Sequence, residues 1–124
     1  MSLDFVSPET LANLSNLSQT QCDALPHGAV KVDTNGNILL YNDYEANMAG
    51  LDKTSVLGRN FFTEVAPCTN NRLFFGKFKT GVSEGHLQLK MPYTFTYKMR
   101  PTNVLIHMLV DKDSGTNWIF VLKR

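Results

Sequence analysis

A chain of 124 residues fits one compact domain and leaves little room for a second. Hydrophobic residues make up 43% and charged residues 19%, which excludes a disordered or fibrous chain, and a net charge of +1 without blocks of like charge argues against a nucleic-acid groove. The 2 cysteines are too few for a disulfide scaffold, and because the chain has no CxxC motif or Cys/His cluster we expect no structural zinc.

The first 27 residues are predicted to form a lightly held helical cap. Ser7-Pro8 fits the start of a short helix, because serine is a good N-cap and proline is favoured at the first helical position. Ser18 followed by Gln21 fits a capping box and predicts a second short helix. We therefore divide the chain into this cap and a core that covers residues 28–124.

The core is predicted to open with a β-hairpin. Residues 29–33 and 38–41 have the pattern of two strands. Asn35-Gly36 between them is the strongest short hairpin signal, because a tight hairpin turn requires positive φ. The second strand ends at Tyr41, an amphipathic residue that ordinarily lies at the margin of a sheet.

Short helices are predicted after the hairpin. Asn42 fits a helix start and Gly50 its end, and Asp52 predicts a further helical piece that Gly58 ends. A longer helix is predicted to open at Asn70 or Asn71. Its apolar face is formed by positions i, i+4 and i+8, namely Phe74, Phe78 and Val82.

The last third of the chain is predicted to contain three strands joined by tight turns. From residue 87 to residue 99, apolar side chains occupy every odd position, which is the period-2 pattern of a strand with one buried face. Residues 104–111 and 118–122 follow as two more strands, and by alternation His107 is expected to face solvent, opposite to its apolar neighbours. The order of elements predicts an α+β fold around one antiparallel five-stranded sheet.

Cys68 is the candidate reactive residue. Pro67 restrains the backbone, so the thiol is predicted to lie on a rigid, non-helical link before a helix N-terminus, which favours the thiolate. The alternative is a small buried hydrophobe. Cys22, in a helix that looks exposed, has no such context. A cysteine hydrolase with His107 or His27 as base is a further alternative, although no local signature of one surrounds Cys68.

Glu45 has two interpretations. After Asn42 it fits a capping box, in which its carboxylate accepts a hydrogen bond from the backbone N–H of Asn42. It also fits a buried, neutral carboxylic acid, since burial raises the pKa of a carboxyl group. The residues alone leave both interpretations open.

Several motifs, taken together, resemble the photoactive yellow proteins, in order and with their spacing kept, from about residue 24 to the C-terminus. They include GNILLYN at 36–42, GRNFF at 58–62, VAPCT at 65–69, GKF at 76–78, YTF at 93–95 and WIFV at 118–121. The resemblance implies a PAS domain, with short helices on one side of the central sheet forming a ligand pocket. It also implies a blue-light photoreceptor and not an enzyme.

The resemblance further implies p-coumaric acid (4-hydroxycinnamic acid), covalently bound to Cys68 as a thioester, with its phenolate end buried near Tyr41 and Glu45. Tyr41 and a neutral Glu45 can each donate a hydrogen bond to the phenolate. The resemblance implies that light drives trans–cis isomerisation of the chromophore and that Glu45 then transfers a proton to it. The cap is expected to loosen afterwards, which produces a partly unfolded signalling state. The side chains implied to line the ring are Phe61, Val65, Phe95 and Met99.

Ala49 and Leu51 depart from the family, which usually carries threonine and arginine there. Ala49 offers Tyr41 no hydrogen bond, and Leu51 is expected to shield the pocket by apolar contact instead of a cation. The colour and the recovery rate are therefore expected to differ from those usual in the family. The main alternative is a PAS interaction or small-ligand sensor domain without a covalent chromophore. A flavin-binding relative fits less well, since its reactive cysteine belongs where this chain has NFF at 60–62.

The sequence shows neither a secretory signal nor an apolar run long enough to span a bilayer. We therefore expect a soluble, cytoplasmic monomer that associates with neither nucleic acid nor membrane. Its downstream signalling partner is not identified by any motif.

Overall fold

The computed structural model describes residues 4–96 and 100–124 and confirms the predicted α+β fold. Its strands are β1 (Gly28–Val32), β2 (Ile38–Tyr41), β3 (Gln88–Phe95), β4 (Thr102–Asp111) and β5 (Thr116–Lys123). Its α-helices are α1 (Pro8–Ala12), α2 (Gln19–Asp23), α3 (Asp43–Ala49) and α4 (Lys77–Glu84). Single turns of 3₁₀-helix cover Leu14–Asn16 and Pro67–Thr69, and turns of π-helix cover Phe61–Val65 and Arg72–Gly76. Among the described residues, no helix has the length and apolar character needed to cross a membrane.

The five strands form one antiparallel sheet in the order β2-β1-β5-β4-β3. The chain builds β1 and β2 at one edge and then crosses the sheet through α3, α4 and the turns between them before it returns as β3 at the other edge. β4 and β5 fill the middle, where Gly28 pairs with Val121 and Ile106 also pairs with Val121. We call the side of the sheet crossed by residues 42–87 the front face and the opposite side the back face.

The main hydrophobic core lies on the front face. Successive side chains of a strand point to opposite faces, so alternate strand positions supply this core. Its centre contains a cluster of completely buried aromatic side chains, which are Phe61, Phe62, Phe74 and Phe78. The alternation predicted for β3 is confirmed as far as Phe95, because Leu89, Met91 and Tyr93 pack against the same core. The last predicted odd positions, 97 and 99, lie outside the described residues.

The N-terminal segment, residues 4–27, covers the back face. Both predicted helix starts are confirmed: the Ser7 hydroxyl accepts from the backbone N–H of Thr10, and Ser18 forms a capping box with Gln21. The second cluster of buried side chains joins this segment to the sheet and consists of Val6, Leu14, Cys22, Ala29, Leu40, Trp118 and Phe120. Although β1 begins at Gly28, the division into a cap and a separate core stays a prediction.

Two expectations about the back face are wrong. Cys22 is fully buried, although its helix looked exposed, because α2 lies against the sheet. His107 does face away from Ile106 and Met108, but it is only 1% exposed. Alternation correctly gave the face of His107, and the N-terminal segment then covers that face.

The segment after α3 also differs from the prediction. Gly50 ends α3 as expected, with φ of 70°, but no helix follows at Asp52. The Asp52 carboxylate instead accepts from the backbone N–H of Thr54 at 2.8 Å, a local bond that competes with helix formation. The longer helix opens at Asn71 as predicted, first as the π-helical turn and then as α4.

Candidate functional site

A small cavity lies between α3, the turns around Cys68 and the end of β3, and its volume is about 20 Å³. Most of the residues implied by the resemblance line it: Tyr41, Glu45, Val65, Cys68 and Phe95. Ala49 and Ala66 complete the wall. Phe61 is fully buried in the adjoining front core and does not line the cavity. Met99 lies outside the described residues.

Glu45 lies in the first turn of α3 with its carboxyl group buried in the protein. The side chain of Asn42 accepts from the backbone N–H of Glu45 at 3.2 Å, which is the expected cap. The other half of the capping box is absent, because the backbone N–H of Asn42 donates to the carbonyl of Ala29 at 3.1 Å. Glu45 Oε1 is buried without a hydrogen-bond partner. The capping-box interpretation of Glu45 is therefore wrong.

Burial determines the protonation state of Glu45. The residue is 2% exposed, and removal of the carboxyl group from water raises the pKa of Glu45 to about 8. The neutral acid therefore predominates at pH 7. In that form the group carries an O–H and can donate a hydrogen bond to an acceptor in the cavity.

Gly28 allows the Glu45 carboxyl group to lie against β1. A Cβ atom at Gly28 would collide with Glu45 Oε1 and would also lie 3.2 Å from the carbonyl oxygen of Val121. A larger residue at this position would therefore displace the acid. In the sequence Gly28 is interpreted only as the first residue of the core, although a glycine in a strand can mark a close approach by another group.

Asn42 connects the site to the N-terminal segment and was predicted only as a helix cap. Its buried side-chain oxygen accepts from the backbone N–H of Ala29 at 2.9 Å. Its side-chain nitrogen donates to the carbonyl oxygens of Cys22 at 2.8 Å and His27 at 2.9 Å. The residue that starts the helix carrying Glu45 thus also holds two carbonyls of the N-terminal segment.

Tyr41 ends β2 and is buried in the cavity wall. Burial, reinforced by the nearby carboxyl group of Glu45, raises the pKa of Tyr41, so the phenol keeps its proton at neutral pH and can donate. Ala49 lies in the same wall and its methyl group offers no hydrogen bond. Leu51 is 36% exposed and is not part of the wall, so the apolar shielding expected from it is not seen.

Cys68 is half-buried in the single 3₁₀ turn Pro67–Thr69, not in the non-helical link that was predicted. The backbone N–H of Thr69 donates to Ala66 at 2.9 Å and that of Asn70 to Pro67 at 3.0 Å. These bonds, with the fixed φ of proline, make the turn rigid, as expected. The cavity therefore has an anchored thiol, protonated oxygen donors from Tyr41 and Glu45, and otherwise apolar walls.

Neither candidate histidine lies beside Cys68. The rings of His27 and His107 both pack edge-on against Phe120 on the back face, at 5.5 and 6.3 Å between centroids. Cys68 packs against the front core, on the other side of the sheet. Burial lowers the pKa of both histidines. The arrangement of a cysteine nucleophile with a histidine base, considered from the sequence, does not form.

Known proteins are similar to this chain in both sequence and fold. The family model described as the PAS fold matches residues 16–123. Photoactive yellow protein from Halochromatium salexigens is 41% identical over 117 residues, which covers 94% of each chain. Photoactive yellow protein from Rhodothalassium salexigens is 39% identical over 108 residues, which covers 87% of this chain and 86% of the relative.

A solved structure gives the same result. The photoactive yellow protein domain from the sensor histidine kinase Ppr of Rhodospirillum centenum superposes with a TM-score of 0.83 at 41% sequence identity. The superposition covers 89% of this chain and 96% of that domain. The predicted PAS architecture is therefore confirmed by sequence and by structure.

Proposed function

The chain belongs to the photoactive yellow protein family within the PAS fold, and from that membership we propose that it is a blue-light photoreceptor with p-coumaric acid bound to Cys68 as a thioester. Membership of the family indicates a photosensor of the photoactive yellow protein type. Binding of p-coumaric acid in this cavity is supported above all by one observation: Glu45 has a buried carboxyl oxygen without a hydrogen-bond partner, in the same cavity as the Cys68 thiol.

The donors in the cavity fit the phenol end of such a group. A phenol in water has a pKa of about 10, so holding its phenolate in a protein interior requires specific donors. Tyr41 and neutral Glu45 are both protonated at neutral pH and each can donate to the phenolate oxygen. When bound, the group supplies visible absorbance and a double bond that light isomerises.

The remaining residues anchor the group and exclude water. Cys68 holds its acyl end through the rigid turn, and Val65, Ala66 and Phe95 form apolar walls. A cavity of about 20 Å³ has the room of roughly one water molecule, so these side chains move outward when the ring enters. Phe61 supports the wall from behind as part of the front core, and Met99 stays a prediction.

We propose that the structural change that carries the light signal begins at Glu45. After proton transfer the carboxylate is a buried charge without a partner, which is costly, and admission of water relieves that cost. Asn42 joins the start of α3 to the carbonyls of Cys22 and His27, which supports a path from Glu45 to the N-terminal segment. Loosening of that segment is the proposed signal, read in the cytoplasm by a protein still to be identified.

The attachment is tested by incubating the apoprotein with the anhydride of p-coumaric acid. The Cys68 thiolate forms the S–C bond and p-coumarate leaves, so the protein mass rises by one acyl group and visible absorbance appears. The Cys22→Ser variant should behave like the parent protein, because Cys22 is buried on the back face and its thiol pKa is raised to about 11. The Cys68→Ser variant should gain neither signal.

If the Cys68→Ser variant still gained a covalently bound chromophore with visible absorbance, the assignment of the attachment site would be overturned. Uptake by none of the proteins would favour the alternative, a PAS interaction or small-ligand domain without a covalent chromophore.

A further inference from the structure

The backbone carbonyl oxygen of Cys68 is held by two side chains. The Tyr93 hydroxyl donates to it at 2.6 Å, and the side-chain nitrogen of Asn71 donates to it at 3.2 Å. The same Asn71 nitrogen donates to the Tyr93 oxygen at 2.6 Å. The three groups therefore form a closed set, which we call the Cys68 clamp (Cys68, Asn71 and Tyr93).

Asn71 has a fixed orientation within the clamp. Its side-chain oxygen accepts from the backbone N–H groups of Leu73 and Phe74, both at 3.0 Å, and so caps the π-helical turn. Because the oxygen is engaged there, the nitrogen is the atom that faces Cys68 and Tyr93. The residue thus joins the turn that carries the thiol to the start of the next helical segment.

Tyr93 is fixed by strand β3 and by its ring contacts. Its ring packs edge-on against Phe74, with centroids 5.1 Å apart, and against Phe95 at 6.0 Å. Phe95 lines the cavity, so the tyrosine that holds Cys68 contacts the cavity wall as well. Burial raises the pKa of Tyr93, which keeps its hydroxyl protonated and able to donate at neutral pH.

The clamp acts on a part of the turn that the backbone leaves free. The backbone bonds of this turn use the carbonyls of Ala66, Pro67 and Thr69 as acceptors. The Cys68 carbonyl is held by side chains instead, and its direction sets the plane of the peptide that follows the cysteine. Together with the restrained backbone before it, that plane fixes the direction of the Cα–Cβ bond of Cys68, from which the thiol extends.

We propose that Tyr93 and Asn71 are positioning residues, which set the direction of the Cys68 thiol and of the acyl group attached to it. The role in the holoprotein rests on the proposed function. Neither residue lines the cavity, and both act through the backbone of Cys68.

The first test does not need the chromophore. In a Cys22→Ser background, the rate of Cys68 alkylation by iodoacetamide is compared for the parent, Tyr93→Phe and Asn71→Asp. Aspartate keeps the acceptor oxygen that caps the helix and loses the donor to Cys68. We expect each variant to change the rate by a factor of about 2 to 10, the range that one hydrogen bond is worth. The double variant should change it no more than the larger single change, since both act on one carbonyl.

Tyr44→Phe is the matched control, because it also removes a tyrosine hydroxyl that bonds to backbone. That hydroxyl accepts from the N–H of Lys123 at 3.1 Å, away from the cavity. Its alkylation rate should equal that of the parent. A rate for Tyr93→Phe equal to the control, or additive effects in the double variant, would overturn the clamp as a unit.

The second test uses the holoprotein and reads the thioester directly. Resonance Raman spectra of Tyr93→Phe should show a shifted or broadened thioester carbonyl band, while Tyr44→Phe should match the parent. An unshifted band in Tyr93→Phe, with chromophore bound, would overturn the role of the clamp in the holoprotein. If the parent protein takes up no chromophore, the proposed function fails while the alkylation rates still decide the clamp.

Discussion

Both faces of the sheet bury titratable side chains, but among the described residues only the front-face group lines a cavity. On the front face, Glu45 and Cys68 share a cavity, and the acid has a carboxyl oxygen without a partner. On the back face, His27 and Cys22 of the N-terminal segment and His107 of β4 are buried between that segment and the sheet. Burial favours the neutral form in every case, so it raises the pKa of Glu45 and lowers the pKa of both histidines.

The two cysteines show what that difference means for reactivity. Cys22 is fully buried, and its surroundings, chiefly burial and then the neighbouring Asp23, raise its thiol pKa to about 11. Cys68 is half-buried and lines a cavity. A thiolate is the nucleophile in acyl transfer, so burial and the raised pKa of Cys22 disfavour its reaction, whereas Cys68 is accessible from the cavity.

Replacing Glu45 is expected to have the largest effect, because it removes the ionisable group of the front face. In the Glu45→Gln holoprotein, the introduced amide still donates a hydrogen bond to the phenolate but has no proton to transfer. Visible absorbance should survive with a shifted maximum, while light-driven deprotonation should disappear completely. Light-minus-dark infrared spectra measure the acid carbonyl band near Glu45, and persistence of that band in the variant would assign the proton donor to another residue.

The same substitution should change how the stability of the apoprotein depends on pH. The native pKa of about 8 lies above the ordinary value of 4.5, so between these pH values the native state binds more protons than the unfolded state. Stability is then lost as pH rises, by about 1.4 kcal/mol per pH unit relative to Glu45→Gln. Urea unfolding of both proteins from pH 5 to 9 measures the difference, and parallel curves would contradict it.

The sequence predicted these elements well where the signals are local. The alternation in β3, the serine caps at Ser7 and Ser18 and the glycine that ends α3 each depend on neighbouring residues only. The segment at Asp52 was misread because an aspartate that caps a helix and one that closes a turn on Thr54 have the same sequence signal.

The site needed information that local patterns lack. The role of Glu45 was open because it depends on whether Asn42 pairs with Ala29, which is a contact between separate elements. The shared pocket of Tyr41 and Cys68 was predicted from the family resemblance and not from the local residue pattern. The burial of His107 was missed because alternation gives the face of a strand but not what covers that face.

The back face should respond to pH in the opposite direction. Burial lowers the native pKa of His27 below its ordinary 6.5, so the unfolded state binds more protons below that pH and stability is lost as pH falls. His27→Phe should weaken this acid destabilisation. The change should be smaller than for Glu45, because the ring keeps a hydrogen bond with the carbonyl of Gly28 at 3.1 Å, which favours the charged form.

Urea unfolding between pH 5 and 8 measures this difference. His86→Phe is the control, since it removes an exposed histidine. A slope for His27→Phe that equals the slope of the parent protein would show that His27 does not contribute to acid sensitivity.

The smallest expected effect comes from Ala49, which lies in the cavity wall with Tyr41 and Glu45. A hydroxyl at this position can support Tyr41 as a donor, which stabilises the phenolate and lowers its pKa in the folded holoprotein. A phenolate with a depressed pKa is stabilised at high pH, and that stabilisation is lost as pH falls through the folded pKa. Ala49→Thr should therefore move the loss of yellow colour to a lower pH, by roughly half a unit to one unit for one hydrogen bond.

Ala49→Val separates the hydroxyl from the added volume, because valine has nearly the shape of threonine without its oxygen. An absorbance titration of the three holoproteins measures the midpoints, with valine expected close to the parent protein and threonine below both. If threonine and valine shift the midpoint equally, the shift reflects packing in the wall. If threonine raises the midpoint, the hydroxyl competes with the phenolate for the Tyr41 proton, and the proposed support of Tyr41 by a hydroxyl at position 49 is wrong.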